Sequence, residues 1–296
     1  MTKKSLFKAS FEESLNLEDD GFLQYQKQDY YNKLGKAFKK GRPSFWFGIK
    51  TFILSLLFPI GLNFMILVVA MSLHDSDPKD LRLPISQQPL LTVEVYLICL
   101  LIWLLLVLMG KLFKRTFILP YRYRFHIITF TIWFMFEFNL LAITMSLPIL
   151  TKWGILVFFG LLVFLAYVML RTELRSLKKR MYGEVKSPTL QDKIAKGIAI
   201  YGAGILGLAV IVNYIFKAFS INFASSITGF GLFICWILLN IGLIAIIVFL
   251  EFPFFLEGYY KWKYPEEYRE WEGKSVEEWY GKAYLKKHPE LLGKDT

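Results

Sequence analysis

The ionisable and amide side chains inside long apolar segments are the residues of this chain best placed to do chemistry. Glu137 stands in the middle of the apolar segment from Ile127 to Leu147. A charged side chain at the centre of a membrane-spanning helix costs about 2.5 to 3.5 kcal/mol, so such residues face the protein interior or a water-filled cavity. At 100° per residue, His126 and Thr144 fall within about 20° of Glu137 around a helix. The spacing predicts a polar stripe along one side of this segment.

Two other apolar segments carry polar groups that can join this stripe. Asn63 follows Pro59 and Gly61, and a proline inside a helix removes a backbone hydrogen bond and bends the helix. Carbonyl groups freed near the membrane midplane bind solutes or ions in transporters with discontinuous helices. Asn240 and Glu251, eleven positions apart, share one face of the last apolar segment.

These polar residues support two interpretations. In the first, they form a substrate or proton path across the membrane, and its residues are Glu137, Asn63, Asn240, His126 and Glu251. In the second, the Glu137 carboxyl is protonated and bonds an amide or hydroxyl group of a neighbouring helix, which only stabilises helix packing. The sequence leaves both interpretations open.

No pattern of catalytic or cofactor-binding residues occurs in the sequence. It contains no Gly-x-x-x-x-Gly-Lys-Ser/Thr phosphate loop, no Gly-x-Ser-x-Gly nucleophile elbow and no His-Glu-x-x-His zinc pair. Cys99 and Cys235 lie in separate apolar segments, where a buried, unreactive thiol is common. The three histidines are scattered and show no metal-ligand spacing. We therefore expect a protein without enzymatic activity, cofactor or metal site.

The composition and the apolar runs define the elements that must position these residues. Hydrophobic residues make up 55% of the 296 residues, whereas soluble domains contain roughly 45 to 50% apolar residues even with glycine included. A helix needs about 20 apolar residues to cross the hydrocarbon core of a bilayer. Runs of about this length are Thr51–Met71, Leu90–Gly110, Ile127–Leu147, Trp153–Leu170, Ile198–Phe216 and Gly229–Leu250. The sequence therefore predicts an all-α, polytopic membrane helix bundle with six transmembrane helices.

The distribution of basic residues predicts which side of the membrane each connection faces. With the N-terminus inside the cell, 31 of the 35 Lys and Arg residues fall in the cytoplasmic segments and four in the external ones. Short cytoplasmic loops of membrane proteins carry such an excess. We therefore expect a plasma-membrane protein with both termini in the cytoplasm and with basic loops that contact anionic lipid headgroups. This topology accounts for the net charge of +11 without nucleic acid as a partner.

Two polar segments flank the predicted transmembrane domain, residues 51–250. The N-terminal segment, residues 1–50, has apolar residues at helical spacing between Phe22 and Phe38, which predicts a helix at the membrane surface. The cytoplasmic tail, residues 251–296, is rich in aromatic and charged residues.

The tail predicts two short helices. Pro265 can begin the first, and Gly273 can end it. Ser275 can begin the second, with Glu278 completing a capping box, and this helix is expected to run to the residues before Pro289. The tail tryptophans are expected either in the lipid headgroup layer or on a docking surface for a cytoplasmic partner protein, and they are Trp262, Trp271 and Trp279.

The layout suggests two classes of function. Six spans behind an amphipathic N-terminal segment resemble the permease subunits of some bacterial ABC exporters, in arrangement and not in any residue motif. This layout and the position of Glu137 favour a non-enzymatic transport component with a solute, peptide or proton path, with or without a partner ATPase. The alternative is a membrane-embedded immunity or regulatory protein that protects against a membrane-active peptide or toxin. In that case the polar stripe serves packing only.

Overall fold

The fold is described from a computed structural model of the chain. The structure describes residues 5–18, 21–30, 32, 35, 45–77, 79, 81, 85–86, 88–110, 112, 115–183 and 225–295. Within these ranges the chain is almost entirely helical and contains no strand. The prediction of an all-α protein is confirmed.

In the described ranges, short helices at both ends of the chain flank four long helical segments. The N-terminal segment contains α1 (Phe11–Leu15) and α2 (Gly21–Tyr30). The first three long helices are α3 (Phe45–Asp75), α4 (Val93–Gly110) and α5 (Leu119–Met181). The fourth consists of α6 (Ser225–Ala245), a π-helical turn (Ile246–Glu251) and α7 (Phe252–Lys263). The tail contains α8 (Pro265–Trp271), α9 (Val276–Tyr280) and α10 (Lys282–Leu285).

The long helices have the length and composition of membrane spans. The four segments are Phe45–Asp75, Val93–Gly110, Thr116–Met181 and Gly231–Lys263. Each contains a stretch of 18 residues that is strongly apolar on average and includes at most two charged residues. Only 11 to 33% of the residues in these stretches are buried inside the protein. Leu, Ile, Phe and Val side chains cover the outside of the helices, where a soluble protein places polar residues. The chain is therefore an integral membrane protein.

Helix α5 is a hairpin of two antiparallel arms. A straight helix of its 63 residues would be about 95 Å long. However, Ile118, just before its first residue, and Met181, its last, pack in one hydrophobic cluster. The chain reverses at Thr151, whose φ of 59° and ψ of 168° are not helical. The arms, residues 119–150 and 152–181, contain the third and fourth predicted spans.

Of the other four predicted spans, the structure describes three and leaves out one. The first two lie in α3 and α4, and the sixth lies in α6 with the π-helical turn that follows it. The fifth, Ile198–Phe216, lies outside the described residues. The count of six spans and the side of the membrane that the termini face therefore stay predictions.

Helix α3 is irregular where the sequence predicts a bend. A π-helical turn, Leu56–Gly61, surrounds Pro59. Because Pro59 has no N–H to donate, the regular hydrogen-bond ladder cannot continue through it. The side-chain amide of Asn63 donates to the Pro59 carbonyl oxygen at 2.7 Å. The irregularity thus places Asn63 in the interior of the bundle, where it is fully buried.

Both ends of the chain pack into one unit, which we call the terminal cap and which consists of residues 5–18, 21–30 and 252–295. Its core combines Leu6 and Leu17 of the N-terminal segment with Tyr268 and Trp279 of the tail. Met181, at the end of α5, belongs to the same cluster. The terminal cap therefore lies at the end of the bundle where α5 begins and ends.

Tyrosine hydroxyl groups of α7 and the residue after it hold the backbone of the N-terminal segment. The Tyr260 hydroxyl donates to the Leu6 carbonyl oxygen and accepts from the Ala9 amide at 3.1 Å. The Tyr264 hydroxyl donates to the Ala9 carbonyl oxygen at 2.8 Å. Backbone groups that are buried without such partners would lose the hydrogen bonds they make to water. These contacts therefore allow an irregular stretch of chain to enter a protein core.

The predicted start of each tail helix is confirmed, and the predicted end of the second is wrong. The Ser275 side chain accepts from the Glu278 amide at 3.2 Å, and the Glu278 carboxylate accepts from the Ser275 amide at 3.2 Å. Gly273, with φ of 63°, follows α8. The second helix stops at Gly281, whose φ of 83° favours glycine, and α10 begins after it.

The three tail tryptophans occupy different environments. Trp279 is 1% exposed and stacks on Phe117 with ring centroids 4.6 Å apart. The prediction that it lies in the headgroup layer or on a docking surface is wrong, because its aromatic ring fills the core of the terminal cap. Trp262 and Trp271 are about half exposed, and their role at a lipid or protein surface stays a prediction.

The predicted surface helix of the N-terminal segment is only partly described. Helix α2 covers its first part, Gly21–Tyr30. Leu23 is 2% exposed and packs with Tyr121 and Phe254. This helix therefore contacts the bundle with at least one apolar side chain. Leu34 and Phe38 lie outside the described residues.

Candidate functional site

Glu137 is fully buried in the contact between α3, α4 and the first arm of α5. Its exposed fraction is 0%, and the indole N–H of Trp133, one helical turn earlier, donates to its Oε1 at 2.5 Å. Its second oxygen, Oε2, has no hydrogen-bond partner among the described residues. Trp133, which holds the carboxyl group, packs in one hydrophobic cluster with Tyr96 and Trp103 of α4. The carboxyl group therefore lies on the face of the arm that contacts α4.

Two aromatic rings of α4 pack against Trp133, which holds this carboxyl group. The rings of Tyr96 and Trp103 each have their centroid 5.8 Å from that of Trp133. Asn63, also 0% exposed, lies between Ile60 and Leu67, which pack in the same hydrophobic cluster as these rings. We call the five polar and aromatic residues of this contact the Glu137 seam, and they are Asn63, Tyr96, Trp103, Trp133 and Glu137.

The Glu137 seam contains three buried polar atoms that lack a hydrogen-bond partner in the described part of the chain. They are Glu137 Oε2, Asn63 Oδ1 and Trp103 Nε1. An unpaired buried polar atom costs about 1 to 3 kcal/mol, so few occur in a protein without a reason. A protonated carboxyl, a water molecule or a transported species can supply the missing contacts.

The predicted polar stripe on the first arm of α5 faces α4 and the residues just before it. A Cβ atom at Gly110 would lie 2.7 Å from the His126 ring, so glycine allows this close approach at one end of α4. At the other end, the Thr144 hydroxyl accepts from the Leu90 amide at 3.2 Å. With Glu137 between them, the helical spacing read from the sequence correctly predicts a common face.

Asn240 lies on the opposite side of the same arm from Glu137. Its amide and that of Asn139 bond each other reciprocally at 2.9 and 3.0 Å. The indole N–H of the buried Trp236 donates to Asn139 Oδ1 at 2.5 Å. Asn139 and Glu137 are two positions apart, about 200° around a helix, so α6 and α4 contact different faces of the arm. Sequence reasoning missed Asn139, although its mid-span position is a usable signal.

Glu251 belongs to a third location. Its Oε1 is 3.2 Å from a guanidinium nitrogen of Arg124, near the start of α5, and its side chain is 4% exposed. The five predicted site residues thus occupy three places. Asn63, Glu137 and His126 lie at the contacts of the first arm with α3 and α4. Asn240, on α6, lies against the other side of that arm, and Glu251 lies next to the terminal cap.

Among the described residues, the largest group of buried charges lies in the terminal cap, and sequence reasoning missed it. Glu257 of α7 is 0% exposed, and its Oε1 is 2.5 Å from the Lys27 ammonium and 3.0 Å from that of Lys261. Lys27 also pairs with Glu18, and Lys261 with Glu272. We call these five residues the cap charge cluster. Only the Glu257 and Lys261 spacing of four along one helix is visible in the sequence.

The carboxyl groups of this cluster differ in their electrostatic environment. Burial, with the nearby Glu257 charge, raises the pKa of the Glu18 carboxyl to about 7, against the opposing effect of Lys27. Burial alone would raise the pKa of Glu272, but Lys261 and Lys274 lower it below its ordinary value. Near neutral pH, Glu18 is therefore the carboxyl of this cluster that exchanges a proton most readily.

No protein family, curated protein or solved structure matches this chain. The function must therefore be inferred from the geometry of these sites.

Proposed function

We propose that this integral membrane protein is a non-enzymatic transport component and that Glu137 lies on the path of the transported species. The observation that carries the proposal is the fully buried carboxyl group in the middle of a long apolar helix, with one oxygen lacking a partner among the described residues. Ionisable residues at such positions occur on substrate, ion and proton pathways. The π-helical turn around Pro59 lies one turn from Asn63 and adds a second irregular, polar position to the same contact.

The proposed topology has six spans and both termini in the cytoplasm. The packing of both chain ends into one cap supports an even number of crossings. The excess of Lys and Arg in the connections on that side supports the cytoplasmic assignment and a plasma membrane with anionic lipids. The sequence has no phosphate-binding loop, so ATP-driven transport would require a partner ATPase, and the terminal cap is the surface available to it.

A proton is the first species to test, because a carboxyl group can carry one. The protein is reconstituted into lipid vesicles that contain a pH-sensitive dye, and proton entry is measured under an imposed membrane potential. We expect the wild type to conduct protons and Glu137→Gln, which keeps the size of the side chain, to fall to the level of empty vesicles. Glu94→Gln, at an exposed position at the start of α4, is the matched control and should conduct like the wild type.

Wild-type flux in Glu137→Gln, at equal protein per vesicle, would contradict the proposed path. A wild type that conducts no protons would restrict the proposal to solutes or peptides. Affinity purification in mild detergent then tests it, and a co-purifying ATPase is the expected result.

The second candidate is a membrane-embedded immunity or regulatory protein. The observation that favours it is the aromatic packing of the Glu137 seam, since Tyr96 and Trp103 pack against Trp133, which donates to the carboxyl. In that case Glu137→Gln should lower thermal stability and leave every flux unchanged. Cells lacking the gene should become sensitive to one membrane-active peptide or toxin.

A further inference from the structure

A small cavity lies in the terminal cap, next to the cap charge cluster. Its volume is about 20 Å³, and its lining combines side chains of α2, α7 and the tail with the first turn of α5. A cavity needs about 10 to 15 Å³ to hold one water molecule. This one therefore has room for one oxygen atom of a ligand whose remaining atoms stay at the mouth.

The charged groups that line the cavity are mostly positive. Three are the ammonium groups of Lys27, Lys261 and Lys274, and one is the carboxylate of Glu272. The Lys261 and Lys274 ammonium groups also lie over the face of the Trp279 ring, 5.9 and 5.3 Å from its centroid. Each ammonium also pairs with a carboxylate, Lys27 and Lys261 with Glu257 and Lys274 with Glu272. Because an ammonium has three N–H groups, it can donate to an anion as well as to its carboxylate partner.

An unpaired hydrogen-bond donor in the lining adds independent support. Trp279 is 1% exposed, and its indole nitrogen has no hydrogen-bond partner in the described ranges. An indole N–H can only donate, so what completes this site must be an acceptor. Lys261, 6% exposed, also lines the cavity, and its ammonium group already pairs with Glu257 and Glu272.

The position of the cavity along α5 indicates which anion it binds. Pro120 and Tyr121, which also line it, belong to the first turn of α5, six to seven positions before the apolar run that begins at Ile127. Phosphate groups of membrane lipids lie just outside the hydrocarbon core. We propose that the cavity binds one oxygen of a phosphate group, from a phospholipid headgroup or from free inorganic phosphate.

The binding test uses the full-length protein in detergent. Native mass spectrometry counts bound molecules of dioctanoyl phosphatidic acid, with dioctanoylglycerol, which lacks the phosphate, as the neutral probe. Thermal unfolding at constant ionic strength measures the effect of inorganic phosphate, with chloride as the reference. The site variants are Lys274→Gln and Trp279→Phe, of which the second keeps an aromatic ring and removes only the N–H. The matched control is Lys282→Gln, because Lys282 is 76% exposed and pairs with Glu277 outside the cavity.

We expect the wild type and Lys282→Gln to retain one phosphatidic acid molecule, and both site variants to bind it about tenfold more weakly, as the loss of one charge-assisted hydrogen bond predicts. Binding of phosphatidic acid without stabilisation by inorganic phosphate identifies a lipid headgroup as the ligand. Stabilisation by inorganic phosphate that both site variants lose identifies free phosphate. Equal binding of phosphatidic acid and dioctanoylglycerol, or equal binding by all variants, would mean that the cavity holds only water and would overturn the proposal.

Discussion

Replacing Glu18 with glutamine is expected to make the closure of the terminal cap much less dependent on pH. Glu18 follows α1, and its carboxyl faces Lys27 of α2 and Glu257 and Lys261 of α7. Because burial raises the pKa of Glu18 from its ordinary value of 4.5 to about 7, the closed cap binds the proton more tightly than the open one. Closure is therefore favoured at low pH and loses stability as pH rises from 4.5 to about 7.

The pKa of Glu18 is 4.5 in the open cap and about 7 in the closed cap, and this difference determines how strongly pH changes the stability of the closed cap. Between about pH 5 and about pH 8, the cost of ionising Glu18 in the closed cap grows by about 2.5 kcal/mol, which corresponds to roughly a seventyfold increase in the opening equilibrium constant. Glu18→Gln has no proton to lose, so its opening should lack this contribution. Glu257 and Glu272 titrate in both proteins, and a comparison at equal pH removes their effect.

Amide hydrogen exchange of residues 5–18, followed by mass spectrometry, measures this opening. The ratio of the exchange rates of wild type and Glu18→Gln at the same pH cancels the intrinsic pH dependence of exchange. We expect this ratio to rise by roughly seventyfold from about pH 5 to about pH 8. A ratio that stays constant, or that falls because the ion pair with Lys27 dominates at high pH, would refute the reasoning.

Two further predictions concern the packing of the helices, and thermal unfolding in detergent tests both. Gly258→Ala should destabilise the protein by about 1 to 3 kcal/mol, because a Cβ there would lie 2.6 Å from the Tyr121 ring, whereas Gly231→Ala, with no atom within 4 Å, should be nearly neutral. Asn139→Leu should cost about 1 to 3 kcal/mol by leaving the Asn240 Oδ1 and the Trp236 indole N–H without their partner, and adding Asn240→Leu should recover part of that loss. Equal stability of the two glycine variants, or strictly additive effects of the two asparagine changes, would contradict these contacts.

Several features could be predicted from the sequence because they depend on residues close together in the chain. The apolar runs locate the long helices, since about 20 apolar residues are needed to cross a bilayer. Pro59 predicts the irregularity in α3, and Ser275 with Glu278 predicts the start of α9. The common face of His126, Glu137 and Thr144 follows from 3.6 residues per turn alone.

The partners of these residues could not be predicted, because helical periodicity gives the direction of a side chain and not what it meets. The spacing of four residues places Trp133 next to Glu137 on one helix face. Nothing local indicates that this face meets α4, while Asn139, two positions later, bonds Asn240, 101 positions away. The sequence separates the two apolar runs on either side of Thr151, but the antiparallel contact between the arms is a tertiary feature. These contacts determine which of the five predicted site residues can act together.

The terminal cap shows most clearly which features follow from local sequence and which depend on tertiary contacts. The sequence by itself determined that both ends of the chain are polar, aromatic and partly helical, because composition and capping residues are local properties. Only the tertiary structure decided that Glu18 and Lys27 join Glu257, Lys261 and Glu272, which are more than 200 positions away. The physical reason is that charges scattered along a chain look solvated one by one, and only folding removes water from them together and makes them pair.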